Sequence, residues 1–332
     1  MSRAPSTPLN LLTLCAGDPQ NERTFSGSAR SLFRALEKQD CIHHTANVLG
    51  HLDPFKRGTL PIRILRKFDR FNLEENYRWS KLGCARNTRR AHAVAQQNPG
   101  YNACLMYGTN YLPQLNVPTY CYFDTTAAEI LRSQAWEFQH FSPKKAQAII
   151  DYQAQVFNHC TTVFPRSQWA AQSCYDDYHL PPEKVCAAGA GFNHQATPPA
   201  HAAYDKQVIL FIGIDFERKG GPLILEAFRK TRQTYPQATL RIMGCTPAID
   251  EPGVEIIGRI PKDEPGGLDK ILQHYSQASI FTIMSHYEPF GIVIPEAAFS
   301  AVPCVVPRQY AFTDTVQDGI TGYHVAEYEP DL

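Results

Sequence analysis

Short runs rich in β-branched and aromatic residues alternate with stretches of helical character along this 332-residue chain, and that alternation restricts the fold more than any other feature. LNLLTLCA (9–16), ACLMY (103–107), TYCYF (119–123) and TTVF (161–164) read as strands. Helices are expected from about Ser28 through Lys38 and over 143–158, the second with Ser142 as its cap and Pro143 in its first turn. GAGFNHQATPPAHAAYDK then breaks the pattern with two prolines, small residues and no periodicity. This places a linker at about 194–206 and two domains over 1–198 and 199–332. The alternation restarts with strands at 207–214, 239–244, 254–258, 279–284 and 303–307 and helices at 222–235, 268–277 and from about Pro295. Runs this short and this continuously apolar suit strands covered on both faces, hence parallel sheets flanked by helices. The expected fold class is α/β, two Rossmann-like domains in tandem facing across a cleft lined by strand C-terminal ends.

Composition sets limits on partners. Lys+Arg and Asp+Glu both number 32, so net charge alone points to no nucleic-acid partner. The halves differ, with 21 basic against 15 acidic residues over 1–200 and 11 against 17 over 201–332. Ten scattered cysteines include Cys104, Cys121 and Cys304 in apolar runs and read as free thiols of a reducing, cytoplasmic compartment. VILFIGI (208–214) is far shorter than the roughly 20 residues that span a bilayer.

Two segments of the second half carry the chemistry. After strand 207–214 comes DFERKGGP and then a helix, so Arg218 and Lys219 sit in a loop at a helix start, beside Gly220, which lets backbone approach a ligand closely. Two cations there suit a diphosphate, although a solvated turn reads the same locally. In SHYEPFGIVIPE (285–296), Glu288 falls just past a strand and Glu296 in the helix that follows Gly291. Eight residues apart, the two cannot share a helical face. A loop carboxylate at a cleft mouth can accept bonds from sugar hydroxyls, a carboxylate in the next helix can take the two hydroxyls of a ribose, and the amides of Gly291, Ile292 and Val293 can meet a diphosphate. Taken singly, either glutamate reads as an ordinary exposed acid.

Over 207–325 the sequence resembles the family 4 retaining glycosyltransferases of the GT-B fold (glycosyl transferases group 1). The matching pieces are Gly213 with Lys219 and Gly220, Met243-Gly244, GRIP (258–261), YSQAS (275–279), EPFG (288–291) running to Glu296-Ala297, Val302-Pro303 and DGITG (318–322). The resemblance implies a hexosyltransferase-like enzyme that moves a sugar from a nucleotide-diphosphate donor to a glycan, lipid-linked or small-molecule acceptor, as in polysaccharide biosynthesis. It assigns Glu288 to the transferred sugar, Glu296 to the ribose and Lys219 to the diphosphate. Ile214 stands where relatives carry an arginine after the strand glycine, and Arg218 is the substitute. In the first half, DPQNERTFSGS (18–28) resembles the family's first loop, with Ser26, Gly27 and Ser28 on the acceptor side; Ser26 or Ser28 also reads as a plain helix cap. Asp124 ends a strand where relatives carry a histidine near the sugar, so it is a candidate catalytic residue, a helix cap being the bland alternative. The family continues past DGITG with two more helices, and this chain, ending EYEPDL, is expected to be incomplete there.

No D-x-D occurs and no spaced His, Cys and carboxylate set suggests a metal, so no cofactor and metal-independent transfer are expected. GAGFN (189–193) lacks the third glycine of a dinucleotide loop. A nucleotide-sugar epimerase would not be expected to carry EPFG with this glutamate spacing. The weightier alternative is a non-catalytic or truncated sugar-nucleotide-binding protein. Residues 56–90 hold eleven basic against three acidic residues, a solvated face or an attachment to anionic lipid at the inner face of a membrane.

Overall fold

The computed structural model describes residues 8–22, 24–49, 73–135, 141–194, 196–197, 200 and 204–326. The chain divides into two compact units, Met1–Gly189 and Ala190–Leu332.

The first unit runs β1 (Leu11–Cys15), α1 (Ser28–Glu37), β2 (Ile42–Asn47), α2 (Leu73–Arg78), α3 (Lys81–Gln97), β3 (Ala103–Tyr107), β4 (Thr119–Phe123), α4 (Ala127–Arg132), α5 (Pro143–His159), β5 (Thr162–Pro165) and α6 (Gln168–Asp176). Its five strands are parallel in the order β2-β1-β3-β4-β5. Every residue of β1 and β3 is buried, which is why both read as unbroken apolar runs. IHHTAN gave no strand signal, yet it forms β2: at the sheet edge His43 is exposed and His44 half-buried, so both cost little there. Helix α5 starts as expected, with the Ser142 hydroxyl accepting from the Lys145 amide and Pro143 in the first turn. Helix α3 was not anticipated, because KLGCARNTRRAHAVAQQ buries only Gly83, Cys84, Asn87, Ala91 and Ala95, a stripe too small-sided to stand out by hydrophobicity.

The second unit runs β6 (Val208–Ile212), α7 (Gly221–Thr234), β7 (Thr239–Met243), β8 (Val254–Gly258), α8 (Gly267–Ser276), β9 (Ile280–Thr282), α9 (Val293–Phe299), β10 (Cys304–Pro307), α10 (Phe312–Thr315) and β11 (Gly322–Val325). Its six strands are parallel in the order β11-β10-β9-β6-β7-β8. Leu210, Phe211, Phe228, Tyr275, Phe281 and Phe312 form the centre of its core.

Strand order fixes where ligands can bind. From β6 the chain builds outward through β7 and β8, then returns to add β9 on the opposite side of β6. The helices that follow β6 and β9 therefore return on opposite faces, and the carboxyl edge between these strands is the switch point where such sheets bind ligands. In the first unit the same reversal falls between β1 and β3. All ten cysteines are free, and burial pushes the thiols of Cys15, Cys84, Cys174 and Cys304 up to about 12, so they act as core hydrophobes. No described helix is long and apolar enough to cross a membrane.

Candidate active site

The β6 loop and the β9 loop lie together at the switch point of the second unit. Met284 donates its amide to the Lys219 carbonyl at 3.0 Å, and His286 donates to the Arg218 carbonyl at 3.0 Å. Gly220 permits this approach: its φ is +71°, and a Cβ there would lie 2.0 Å from the Met284 carbonyl oxygen. The turn is closed by the Gly220 amide donating to Glu217 and the Gly221 amide to Phe216, and α7 begins at Gly221.

That juxtaposition brings the sequence-predicted residues into contact. Lys219 Nζ forms an ion pair with Glu288 Oε2, both side chains being close to nine-tenths buried. Ser285, fully buried, donates its hydroxyl to the same carboxylate oxygen at 3.2 Å. Arg218 lies beside them more loosely, its Nη1 donating to the Tyr287 carbonyl at 3.5 Å and its Nε 3.8 Å from Asp215 Oδ2. Glu288 is on the loop and Glu296 is inside α9, the division expected from their spacing. The helix starts at Val293, two positions before the expected Pro295. Gly291, at φ +73°, turns the chain into it over the Glu288 stem, where a Cβ would meet Glu288 Cγ at 3.1 Å. Ile292 follows as the residue preceding α9.

Glu296 is 2% exposed, so it is not an ordinary surface acid. Lys262, on the loop after β8, forms an ion pair with its Oε1, and the Tyr275 hydroxyl donates to its Oε2 at 3.4 Å. Burial and the neighbouring Glu296 hold the Tyr275 phenol well above its usual pKa, so it remains a donor. His194 packs against Phe192 in a tilted pair and against Phe299 edge-on, with centroids 4.8 and 5.6 Å away, and burial lowers its pKa.

At the carboxyl edge of the first sheet, Phe25 and Ser26 have positive φ of 48° and 55°, and Gly27 continues the turn at 82°. The plain-cap readings fail here. The residue before α1 is Gly27, with no side-chain cap, while the Ser28 hydroxyl donates to the Phe25 carbonyl and pairs with the Tyr107 hydroxyl at 2.7 Å. Asp124 is not a cap either, since Thr126 caps α4. Instead Asp124 Oδ2 lies 3.8 Å from Arg166 Nη1, its side chain one-third exposed. Sequence reasoning missed Arg166. It leaves the end of β5, donates to the Ser28 hydroxyl, and sits against the faces of Tyr107 and Tyr122 at 5.4 and 5.3 Å. Burial lowers its pKa to about 9, which leaves it charged at neutral pH. Lys262 was missed as well, because a lone lysine after GRIP carries no motif.

Comparison with known proteins bears on these residues. The sequence model of glycosyl transferases group 1 matches residues 195–332. That stretch takes in nearly all of the second unit, which is therefore similar to the glycosyl transferases group 1 family. D-inositol 3-phosphate glycosyltransferase of Corynebacterium kroppenstedtii is 29% identical over 146 residues, 40% of this chain and 31% of that protein. Its counterpart in Corynebacterium diphtheriae is 24% identical over 176 residues, 46% of this chain and 41% of that one. The matched stretches thus span less than half of these relatives. Among solved structures, sucrose-phosphate synthase from Thermosynechococcus elongatus has a TM-score of 0.62 at 15% identity, covering 97% of this chain and 86% of that one. Anabaena HepE, solved with UDP and glucose, has a TM-score of 0.58 at 14% identity with the same coverages. The fold class is therefore that of the GT-B glycosyltransferases, α/β with two parallel-sheet units.

Within the second unit the most sterically constrained position of the site is Gly220. An L-residue at left-handed φ costs about 1–2 kcal/mol before any clash, and here a Cβ must also displace the Met284 carbonyl. Gly220→Ala is expected to lower the unfolding free energy of the second unit by more than about 2 kcal/mol, read by urea denaturation; a loss under about 0.5 kcal/mol would show that the two loops are not held this closely.

Proposed function

We propose that the protein is a retaining glycosyltransferase that transfers a hexosyl group from a nucleoside-diphosphate donor to a glycan, lipid-linked or small-molecule acceptor. The carrying observation is the meeting of Lys219 with Glu288, and of Lys262 with Glu296, around the switch-point crevice of a unit that matches the glycosyl transferases group 1 model. The solution of Anabaena HepE with UDP and glucose supports a nucleotide-sugar donor for this fold. Retention of configuration rests on the resemblance of EPFG and the E-x7-E spacing to retaining enzymes.

Each residue then has a task. Lys219 and Arg218, with Gly220 giving close backbone access, meet the diphosphate, and the amides of Gly291, Ile292 and Val293 add donors without charge. Fixed cations and amides stabilise the negative charge that grows on the leaving diphosphate as the glycosidic bond breaks. Glu288 binds the transferred sugar and Glu296 the ribose. On the first unit's own carboxyl edge, Asp124 is assigned to the sugar and the loop Ser26, Gly27 and Ser28 to the acceptor side.

The two glutamates separate kinetically on this reading. Glu296→Gln should weaken nucleotide binding about tenfold or more, as loss of a charged hydrogen bond costs roughly 1.5–3 kcal/mol. Glu288→Gln should lower turnover by a similar factor while nucleoside-diphosphate binding stays or tightens, because Glu288 otherwise occupies Lys219. Isothermal titration with UDP, GDP and ADP, beside product formation from the matching sugars, reads both; the reverse pattern would refute the assignment.

Transfer should proceed without a divalent metal, since cations supply the charge and the sequence has no D-x-D. Activity abolished by EDTA and restored by Mn²⁺ would contradict this.

The acceptor is proposed to be met at an anionic membrane surface. The basic cluster Lys56, Arg57, Arg63, Arg66, Lys67 and Arg70, with Ile62, Leu65 and Phe68, lies outside the described residues. Of its continuation on α3, Arg89 is exposed, whereas Arg86 donates to the Tyr77 hydroxyl at 3.0 Å. Each basic residue near such a surface contributes on the order of 1 kcal/mol. The protein should co-sediment with phosphatidylglycerol vesicles but not with neutral ones, and less so as salt rises. Equal recovery on both kinds of vesicle would rule the contact out.

A further inference from the structure

Glu296 is the most buried charged side chain of the second unit's site, with 3% of the side chain exposed, and a carboxylate taken out of water needs partners for its oxygens. Its two partners come from different elements. The hydroxyl of Tyr275, fully buried in α8, lies 3.4 Å from Oε2 and 3.3 Å from the Val293 carbonyl, and its one proton is shared between them. Lys262 reaches Oε1 from the loop between β8 and α8, and its side chain is 32% exposed. Of the two partners, Lys262 is therefore the one open to solvent.

The lysine's backbone is itself held. Gly267 opens α8 directly against the Pro261 carbonyl, where a Cβ would lie 1.9 Å from the oxygen. The Gly267 amide donates to Glu264 at 2.9 Å, closing the loop that carries Lys262. An ionised carboxylate offers about four lone-pair sites. With one taken by Lys262 and at most one by Tyr275, at least two remain, enough for a ribose 2′,3′-diol.

We propose that Lys262 is a positioning residue for ribose recognition: its ammonium holds the Glu296 carboxylate in the orientation whose remaining lone pairs accept the 2′- and 3′-hydroxyls of the donor nucleotide. This rests on the donor-site reading above. Lys262 does not touch the reacting atoms. It acts through Glu296, and its removal leaves the carboxylate free to turn toward Tyr275 or toward water.

The test compares ribo- and deoxyribonucleotides on one protein preparation, so that any general loss of folding cancels. UDP, GDP and ADP and their 2′-deoxy counterparts are titrated calorimetrically into wild type, Lys262→Met and Lys262→Arg. In wild type the ribonucleotide with measurable affinity should bind about tenfold tighter than its deoxy form. Lys262→Met keeps the aliphatic stem and should bring that ratio close to one, with little change in deoxynucleotide affinity. Lys262→Arg should restore the ratio. An unchanged ratio in Lys262→Met overturns the proposal, as does tighter ribonucleotide binding, which would make Lys262 a competitor for the carboxylate. Failure of all three diphosphates to bind wild type would overturn the donor-site reading and this inference with it, whereas binding with an insensitive ratio sinks the inference alone.

Discussion

The site of the second unit exists because two strand-end loops come into backbone contact across the switch point. Parallel strands β6 and β9 are neighbours, but helices return on opposite sides of them, so the loops leaving the two strands have no reason of connectivity to meet. They meet through two amide–carbonyl bonds, from Met284 to Lys219 and from His286 to Arg218. A side chain at Gly220 would stand in the way. Once the loops are paired, Lys219 and Glu288, 69 positions apart, have their charged ends together without reaching. The glycine is thus part of the electrostatics: it sets the distance at which the lysine and the glutamate neutralise each other.

The two units solve the problem of a buried charge differently. In the second, each lysine of the site finds a carboxylate and each of those glutamates has a hydroxyl donor as well, Ser285 on Glu288 and Tyr275 on Glu296. Pairing a charge and bonding its remaining lone pairs is what makes such burial tolerable. In the first, Arg166 meets the Asp124 carboxylate at 3.8 Å, a serine hydroxyl and the faces of two tyrosines. Burial accordingly lowers its pKa to about 9. The same guanidinium links the start of α1 to the end of β4, tying together the two segments that carry Ser28 and Asp124.

Legibility from sequence followed the strength of local signals. Strands buried on both faces, such as ACLMY and TYCYF, could be bounded to the residue, since nothing polar interrupts them. The edge strand IHHTAN and the small-sided helix α3 could not, because tertiary position rather than pattern makes them what they are. Motif residues Lys219, Glu288 and Glu296 were readable from spacing and resemblance, down to which glutamate is on the loop and which in the helix. Their partners Lys262 and Tyr275 were not, because each meets Glu296 only through the fold. Ser28 and Asp124 were readable as positions but not as contacts: the cap roles that local sequence favours for both belong to Gly27 and Thr126.

The pairing of lysine with glutamate bears on how a diphosphate would be held. On the donor reading, Lys219 is already half neutralised by Glu288, so its ammonium must divide its three donors between a carboxylate and a phosphate. The cation less committed is Arg218, whose contacts with Tyr287 and Asp215 are 3.5 and 3.8 Å long. A guanidinium in long contacts gives up little when it turns to a phosphate, and its planar fork engages two oxygens at once. Ile214, exposed and uncharged just after the strand glycine, gives no help. The positive charge of the site therefore depends on Arg218 to a degree that the Lys219 motif alone would not suggest. On the same donor reading, Lys219 serves two partners and links the diphosphate to the carboxylate assigned to the sugar.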